Sequence, residues 1–464
     1  MAHASSRTQG STALSANDER FRTTAVQRPE AARARAWAGV LGLIGVLVGT
    51  FGVAAGAASA PTMYVPGRLG GWTGWLAGPL SGLGVGLDST SFQLFTLIMC
   101  AGYALVLIGA PALHWPALAG TIVAAHVLLV LGPPLISQDV FGYLAFARLG
   151  VLHGLDPYTH VAAQIAGDPI FNYQGWAFQH SPYGPLFTLG SYAITPLGLA
   201  GGLWTLKLLA MLASLGAIAL TARAAAKMGR SPLSAAAFVG LNPVLLELAV
   251  GGDHNDTLIM LALAGALVLT AGANPRLRAG AGALVAGVGV KVTAGLVLAF
   301  LVLSPADWRR RLTIGSSAAA SLALLAIIAL VGFGSHALGF IGAISDQQQM
   351  VATHSIPAET ARLLGLAGTP IWWRHVFLGL FLVVLGYALW RTARGADWRA
   401  AAGWSTLALV CCTAWLLPWY AIWVLPLTAL SRDRRLYVAT LLFCAYAMLI
   451  HLPLADGLLS PPRH

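Results

Sequence analysis

The chain has 464 residues, of which 57% are hydrophobic and 9% charged, with a mean hydropathy of +0.74. A soluble domain carries roughly a quarter charged residues, so the composition excludes a soluble globular protein and points to an all-α polytopic membrane protein. The formal net charge of +11 is explained by basic cytoplasmic loops rather than by a nucleic-acid surface, because membrane proteins collect Lys and Arg on one side. The four cysteines, Cys100, Cys411, Cys412 and Cys444, lie in apolar stretches without CxxC spacing, which suggests neither a disulfide framework nor a zinc site.

Residues 1–35 are polar and Arg-bearing, too polar for a cleaved secretory signal, and read as a disordered cytoplasmic tail. Residues 36–464 read as one membrane domain. Apolar stretches follow at 36–58, 92–111, 117–136, 203–222, 233–250, 256–272, 279–290, 293–303, 312–333, 374–391, 401–417, 420–431 and 436–454, which predicts about thirteen crossings. The apolar stretch 183–200 is assigned as re-entrant or juxtamembrane. If it crossed, Arg223, Lys227 and Arg230 would face outward and every later loop would invert. With it excluded, 20 of the 27 Lys and Arg residues fall on the side of the N-terminus, and the C-terminus lies outside.

This topology gathers the unusual polar residues on the outer face, in a large loop at 137–182, a second at 335–373 and the turns between spans. Asp139 follows directly on an apolar stretch, where a carboxylate is costly unless it has a task. The functional reading is a general base, and the bland one is a cap for the helix beginning VFGYLAFARL. Arg148 is expected to pair with a carboxylate or sit at headgroup level. In GLDPY, Pro157 forces Asp156 out of the helical region, so the segment reads as a turn with Asp156 and Tyr158 as secondary sugar-binding candidates. The segment NYQGWAFQHSPYGP offers Trp176, His180 and Tyr183, either as interfacial aromatics or as a stacking surface for a sugar or isoprene units.

GGDHND places Asp253, His254, Asn255 and Asp256 between two apolar helices. A capped hairpin needs one such side chain, and four exceed that requirement. His254 reads as a phosphate or hydroxyl partner, and Asp253, Asn255 and Asp256 as acceptor-binding groups. The four do not form a specific metal signature. Lys291 is the only base in a long apolar run. It either snorkels to the interface or clamps a phosphate. Short spans flank both Lys291 and Pro418–Tyr420, and exposed backbone at membrane depth is tolerated only where it lines protein or a wet cavity. Trp419 and Tyr420 are candidates to wall that cavity. GxSxG, Walker-type and HExxH motifs are absent from the sequence.

Taken in order, SQDVFGYLAFARLGVLHGLDPY, SPYGPLF, LNPVLLELAVGGDHND, GVKVTAG and LLPWYAIWVLPL resemble the actinobacterial polyprenol-phosphomannose-dependent α-1,6-mannosyltransferases, integral membrane enzymes of the GT-C superfamily. Gln138 stands where that family typically has Arg, and Asp253–His254–Asn255–Asp256 departs from its usual pattern around the histidine. The resemblance implies a GT-C type bundle with an outer-face cavity and a polyprenyl-phosphate mannose donor. It implies a mannan or glycolipid acceptor of the lipomannan type, and an inverting transfer with Asp139 as the base. Lys291, Arg148 and His254 would hold the donor phosphate, and no metal or other cofactor is required in principle. Transfer of another polyprenyl-phosphate sugar, a flippase or transporter for a lipid-linked sugar, and an inactive scaffold subunit are the competing readings. The one-sided gathering of polar residues counts against a transport path, which would need them at both faces.

Overall fold

The computed structural model describes residues 10–65 and 73–452, and is all-helical over them. The first nine residues of the expected tail and the end of the stretch expected at 436–454 lie outside this range. Helix α1 (Gly10–Ser59) is followed by a single turn, α2 (Gly74–Ala77), then α3 (Ser89–Gly109) and α4 (Trp115–Leu131). Next come α5 (Asp139–His153), the short α6 (Pro185–Tyr192), the long α7 (Gly198–Lys227), α8 (Pro232–Gly240), α9 (Asp256–Leu269), α10 (Leu277–Val288) and α11 (Gly295–Leu303). The chain ends with α12 (Trp308–Phe333), α13 (Gly339–Gln347), α14 (Ile356–Leu363), α15 (Ile371–Ala393), α16 (Trp398–Cys412), α17 (Leu425–Leu430) and α18 (Arg434–Leu449).

Within the described residues each apolar stretch read from the sequence is largely helical, though α4 ends at Leu131 and α16 at Cys412, short of the expected bounds. Among the described residues, five helical segments are long and apolar enough to cross a membrane, or six if one bent pair counts as a single span. This makes the protein a membrane-associated helical bundle. The stretch 183–200 is α6, a 3-10 turn at Thr195–Leu197 and the start of α7.

The bent pair is α8 with a π-helical segment at Val244–Val250, turned by 48°. Pro243 lacks the N–H that would continue the ladder. Asn242 repairs part of the break by accepting from Val244 N–H (3.0 Å) while its amide donates to the Tyr103 hydroxyl (3.2 Å). Every residue of Val244–Val250 is buried, so the π-segment, with the 3-10 turn at Pro418–Trp423, sits in the centre of the main core. At the outer flank α1 and α3 cross through glycines. A Cβ on Gly42 would fall 2.6 Å from the Gly102 carbonyl oxygen, and one on Gly109 would fall 2.3 Å from Gly39 Cα. Small residues at such crossings let backbones touch, which is how helices associate where lipid removes the hydrophobic drive.

Candidate active site

Two loops meet where α4 ends and the π-segment ends. Leu135 N–H donates to the Gly251 carbonyl (2.7 Å) and Ile136 N–H to the Tyr64 carbonyl (2.7 Å). The join holds two non-glycine residues in the left-handed region, Ile136 (φ 72°) and Asp253 (φ 56°). A β-branched residue at positive φ is a strained outlier, and such strain concentrates at functional sites. The two lie three residues before Asp139 and one before His254.

Asp139 opens α5, yet its carboxylate is not used as a cap. Its own N–H donates to Ser137 Oγ (3.1 Å), while Oδ1 accepts from Trp176 Nε1 (2.8 Å) and Oδ2 lies 3.3 Å from His254 Nδ1. The His254 ring is fully buried and stacked on Trp419, with centroids 3.7 Å apart. Burial pushes the Asp139 carboxyl up. The hydrogen bond and charge of His254, the nearby Lys291 ammonium and the Trp176 donor outweigh it, so the group is held below the ordinary aspartate value. Asp139 is thus kept as a carboxylate.

Lys291 reaches the same place from the break between α10 and α11. Its ammonium pairs with Asp256 (3.1 Å) and lies 4.5 Å from the Tyr420 ring centroid and 5.3 Å from that of Trp423. Trp423 Nε1 donates to the same Asp256 oxygen (2.8 Å), which fixes the carboxylate. The break is aimed by a backbone crossing. Gly184 N–H donates to the Val290 carbonyl (2.9 Å) and Leu186 N–H to that of Gly289 (2.8 Å). A Cβ at Gly184 would sit 2.5 Å from the Gly289 oxygen, so only glycine permits this approach.

Asp139 and Lys291 line one pocket with Trp176, Gln179, His180, Tyr183, Trp415 and Tyr420. Gln347, from the end of α13, closes another side. Trp415 packs edge-on against Trp176, with centroids 6.1 Å apart. Trp415 and Gln347 escaped the sequence reading. The only signal for the tryptophan was its place three residues before Pro418, and Gln347, the last residue of α13, belongs to no motif.

Other expected residues fall elsewhere. Arg148 does not reach the pocket: Asp168 takes its guanidinium in a bidentate pair (2.8 and 2.9 Å) and also accepts from His153 (3.0 Å). Burial raises the Asp168 carboxyl, and the Arg148 and His153 hydrogen bonds bring it below its ordinary value. Asp156 forms the expected turn, accepting from Tyr158 N–H (2.8 Å), and meets His336 of the second loop (3.1 Å). Tyr158 is buried and donates its hydroxyl to the Tyr183 carbonyl (2.9 Å), so it props a pocket residue from behind. Asp253 does not line the pocket. It pairs with Lys207 at 3.2 Å, both side chains fully buried. Asn255 is buried beside the Tyr143 hydroxyl, which accepts its N–H (3.3 Å). Among the described residues no group of three or more His, Cys, Asp or Glu has metal-binding geometry.

A buried carboxylate facing an ammonium across an aromatic-walled pocket, set in a bundle of apolar helices, is the arrangement of a membrane group-transfer enzyme. The family model described as "Alpha-(1->6)-mannopyranosyltransferase, N-terminal domain" matches residues 36–307, and "MptB C-terminal domain" matches residues 364–464. The chain belongs to this α-(1→6)-mannopyranosyltransferase family, as the motifs indicated, and is a glycosyltransferase. It is 29% identical to alpha-(1->6)-mannopyranosyltransferase A of Mycobacterium tuberculosis over 71% of its own length and 68% of the relative's. It is 30% identical to alpha-(1->6)-mannopyranosyltransferase A of Corynebacterium glutamicum over 39% of its length and 37% of the relative's. Alpha-(1->6)-mannopyranosyltransferase B of the same organism is 27% identical over 67% of this chain and 58% of that one. No solved structure matches the chain.

Proposed function

We propose that the protein transfers mannose from a polyprenyl-phosphate mannose donor to an α-1,6-linked mannan acceptor of the lipomannan type. In this reading about thirteen helices form a GT-C type bundle with a cytoplasmic N-terminus, and the pocket faces the extracytoplasmic side. The carrying observation is the common pocket of Asp139 and Lys291, two residues far apart in sequence whose charges meet across one cavity.

The chemistry follows from those two groups. The acceptor hydroxyl oxygen attacks the anomeric carbon of mannose as its proton passes to Asp139, and the bond from that carbon to the phosphate oxygen breaks. A single displacement converts a β-linked donor to an α-linked product, so one carboxylate base suffices. The departing polyprenyl phosphate keeps the bonding electrons, and Lys291 neutralises its charge. To do so the ammonium turns part of its interaction from Asp256 to the phosphate. Trp176, His180, Tyr183 and Tyr420 offer faces and edges for the sugar. Arg148, Asp156, Tyr158, Asp253 and Asn255 support the walls, and His254 with Trp419 orients the base from behind.

The test uses purified protein in lipid micelles, radiolabelled polyprenyl-phosphate mannose and a short α-1,6-dimannoside. The wild type extends the acceptor, and Asp139→Asn lowers turnover by about 10²–10⁴-fold while the protein stays folded. Full activity in Asp139→Asn refutes the assignment of the base. Absence of product from wild type with this donor refutes the mannosyl donor and directs the assay to other polyprenyl-phosphate sugars.

A further inference from the structure

Lys207, which pairs with Asp253 beside the His254 turn, stands near one end of α7, and a cavity of about 450 Å³ opens at the other. The rise along α7 from Lys207 to Lys227 is about 30 Å, the thickness of a hydrocarbon core, so the cavity and the catalytic pocket sit about one bilayer apart. Its volume is within the range of small-molecule sites, about 300–1,000 Å³. Arg223 and Lys227 reach it from the last turns of α7, and Arg276 from the turn before α10. Asn274 lies beside them, over a floor that includes Leu220 and Val268. No acidic residue is among those that line it.

Basic residues at a membrane surface need no ligand to explain them, and several here are spent on helix ends. Arg311 donates to the carbonyls of Pro305 (2.7 Å) and Ala393 (2.9 Å), and Arg230 to those of Ala429 and Ser431. The carbonyls that end α9 are also taken: Val268 by the Lys227 ammonium (3.0 Å), Leu269 by Arg276 N–H (2.8 Å) and Thr270 by Arg399 (3.1 Å). Lys227 spends one donor there and keeps the rest. The guanidinium groups of Arg223 and Arg276 are different. Both residues are exposed, and among the described residues neither side chain has an ion pair or a hydrogen bond. They are surplus cations on the wall of a cavity.

We infer that this cavity holds the head of an anionic phospholipid, with its phosphate between Arg223 and Arg276 and an acyl chain lying along α7. Charge complementarity selects the phosphate, since a guanidinium binds its oxygens by paired N–H donors. Continuity selects a lipid over a soluble phosphate. Leu209, Leu212, Gly216, Leu220, Arg223 and Lys227 recur at spacings of three and four, so they form one stripe of α7. Leu209 is 43% exposed and Leu212 52%, which leaves the stripe open to hydrocarbon. Cations ending such a stripe where helices meet suit a lipid head, whereas a soluble phosphate leaves the stripe unused. The site is separate from the transfer chemistry proposed above and does not depend on it.

Full-length protein in uncharged detergent micelles is titrated calorimetrically with dioleoylphosphatidylglycerol, with dioleoylphosphatidylcholine and, as the head without its chains, with glycerol 3-phosphate. The wild type binds phosphatidylglycerol about tenfold or more tightly than either of the others. Arg223→Gln and Arg276→Gln each weaken that binding by about fivefold, the contribution of one cation at a membrane surface, and the double variant by about the product. Both positions are exposed, so the variants keep the wild-type unfolding temperature in micelles free of added lipid. Arg310→Gln, which removes an exposed cation outside the cavity, leaves the affinity unchanged. Equal affinity for the two lipids overturns the inference. So does a loss in Arg310→Gln as large as in the cavity variants, because net charge alone is then being read. Glycerol 3-phosphate binding as tightly as phosphatidylglycerol overturns the lipid and leaves a soluble phosphate as the occupant.

Discussion

Lys207 and Asp253 illustrate how a residue with a catalytic look can be structural. Lys207 lies on α7 outside every motif read from the sequence, and Asp253 looked like one of four site residues in GGDHND. Their side chains are both fully buried and 3.2 Å apart. The nearest second acceptor for the ammonium is the Leu129 carbonyl at 3.5 Å, on α4. The pair therefore links α7 and α4 to the left-handed turn that presents His254. Breaking a buried pair by removing one member leaves an uncompensated charge, at a cost of about 3–5 kcal/mol. Lys207→Met is expected to lower the unfolding temperature of the purified protein sharply and to lower activity with it. The double variant Lys207→Met, Asp253→Asn is expected to regain much of the loss, because neither charge then remains to be solvated. A double variant as unstable as the single one refutes this account.

At the scale of elements, the backbone crossing at Gly184 sets where Lys291 points. In Gly184→Ala the new methyl meets the Gly289 oxygen at 2.5 Å, so α6 and the 289–291 break separate, and overpacking of this kind costs about 1–3 kcal/mol. Gly190, on the same helix, has open space around its Cβ position. Gly190→Ala should be neutral or slightly stabilising, while Gly184→Ala should lose transfer activity out of proportion to its fall in unfolding temperature. Equal behaviour of the two would show that the crossing does not aim the lysine.

Much of this element-level picture was legible beforehand. Lys291 stood alone in an apolar run, Pro418 broke another, and hydropathy alone marked where helices would lie. The pairings were not legible. Arg148 could have met Asp139 or Asp156 by spacing along the chain. It meets Asp168 because a turn at Gly154 (φ 64°) sends the loop back along α5, a path that no residue pattern records. The π-helical segment was equally hidden, since its residues are as apolar as those of any buried helix and only the Asn242–Pro243 step marks the bend. Asp139 stood out by its place at the end of an apolar stretch, but its histidine and tryptophan partners needed the fold.

For the whole molecule, the distribution of basic residues predicts a direction across the bilayer. Phe178 is 79% exposed in the first large loop, and Arg310 lies in the basic first turn of α12. In a background whose native cysteines are replaced, Phe178→Cys should react with a membrane-impermeant maleimide on intact cells. Arg310→Cys should react only after the membrane is opened. The reverse pattern would place the pocket on the cytoplasmic side and rule out an extracytoplasmic transfer.

The pocket draws Asp139 from α5, Trp176 from the loop beyond it, Lys291 from a break far downstream, and Trp415 and Tyr420 from near the end of the chain. During synthesis, a ribosome inserting these helices one after another places Asp139 long before the residues that close over it. Until Tyr420 has emerged, Lys291 lacks the aromatic ring beneath it and Trp176 has no edge to rest on. A nascent chain would therefore hold a cleft open to water until the segment carrying Trp415 and Tyr420 closes over it.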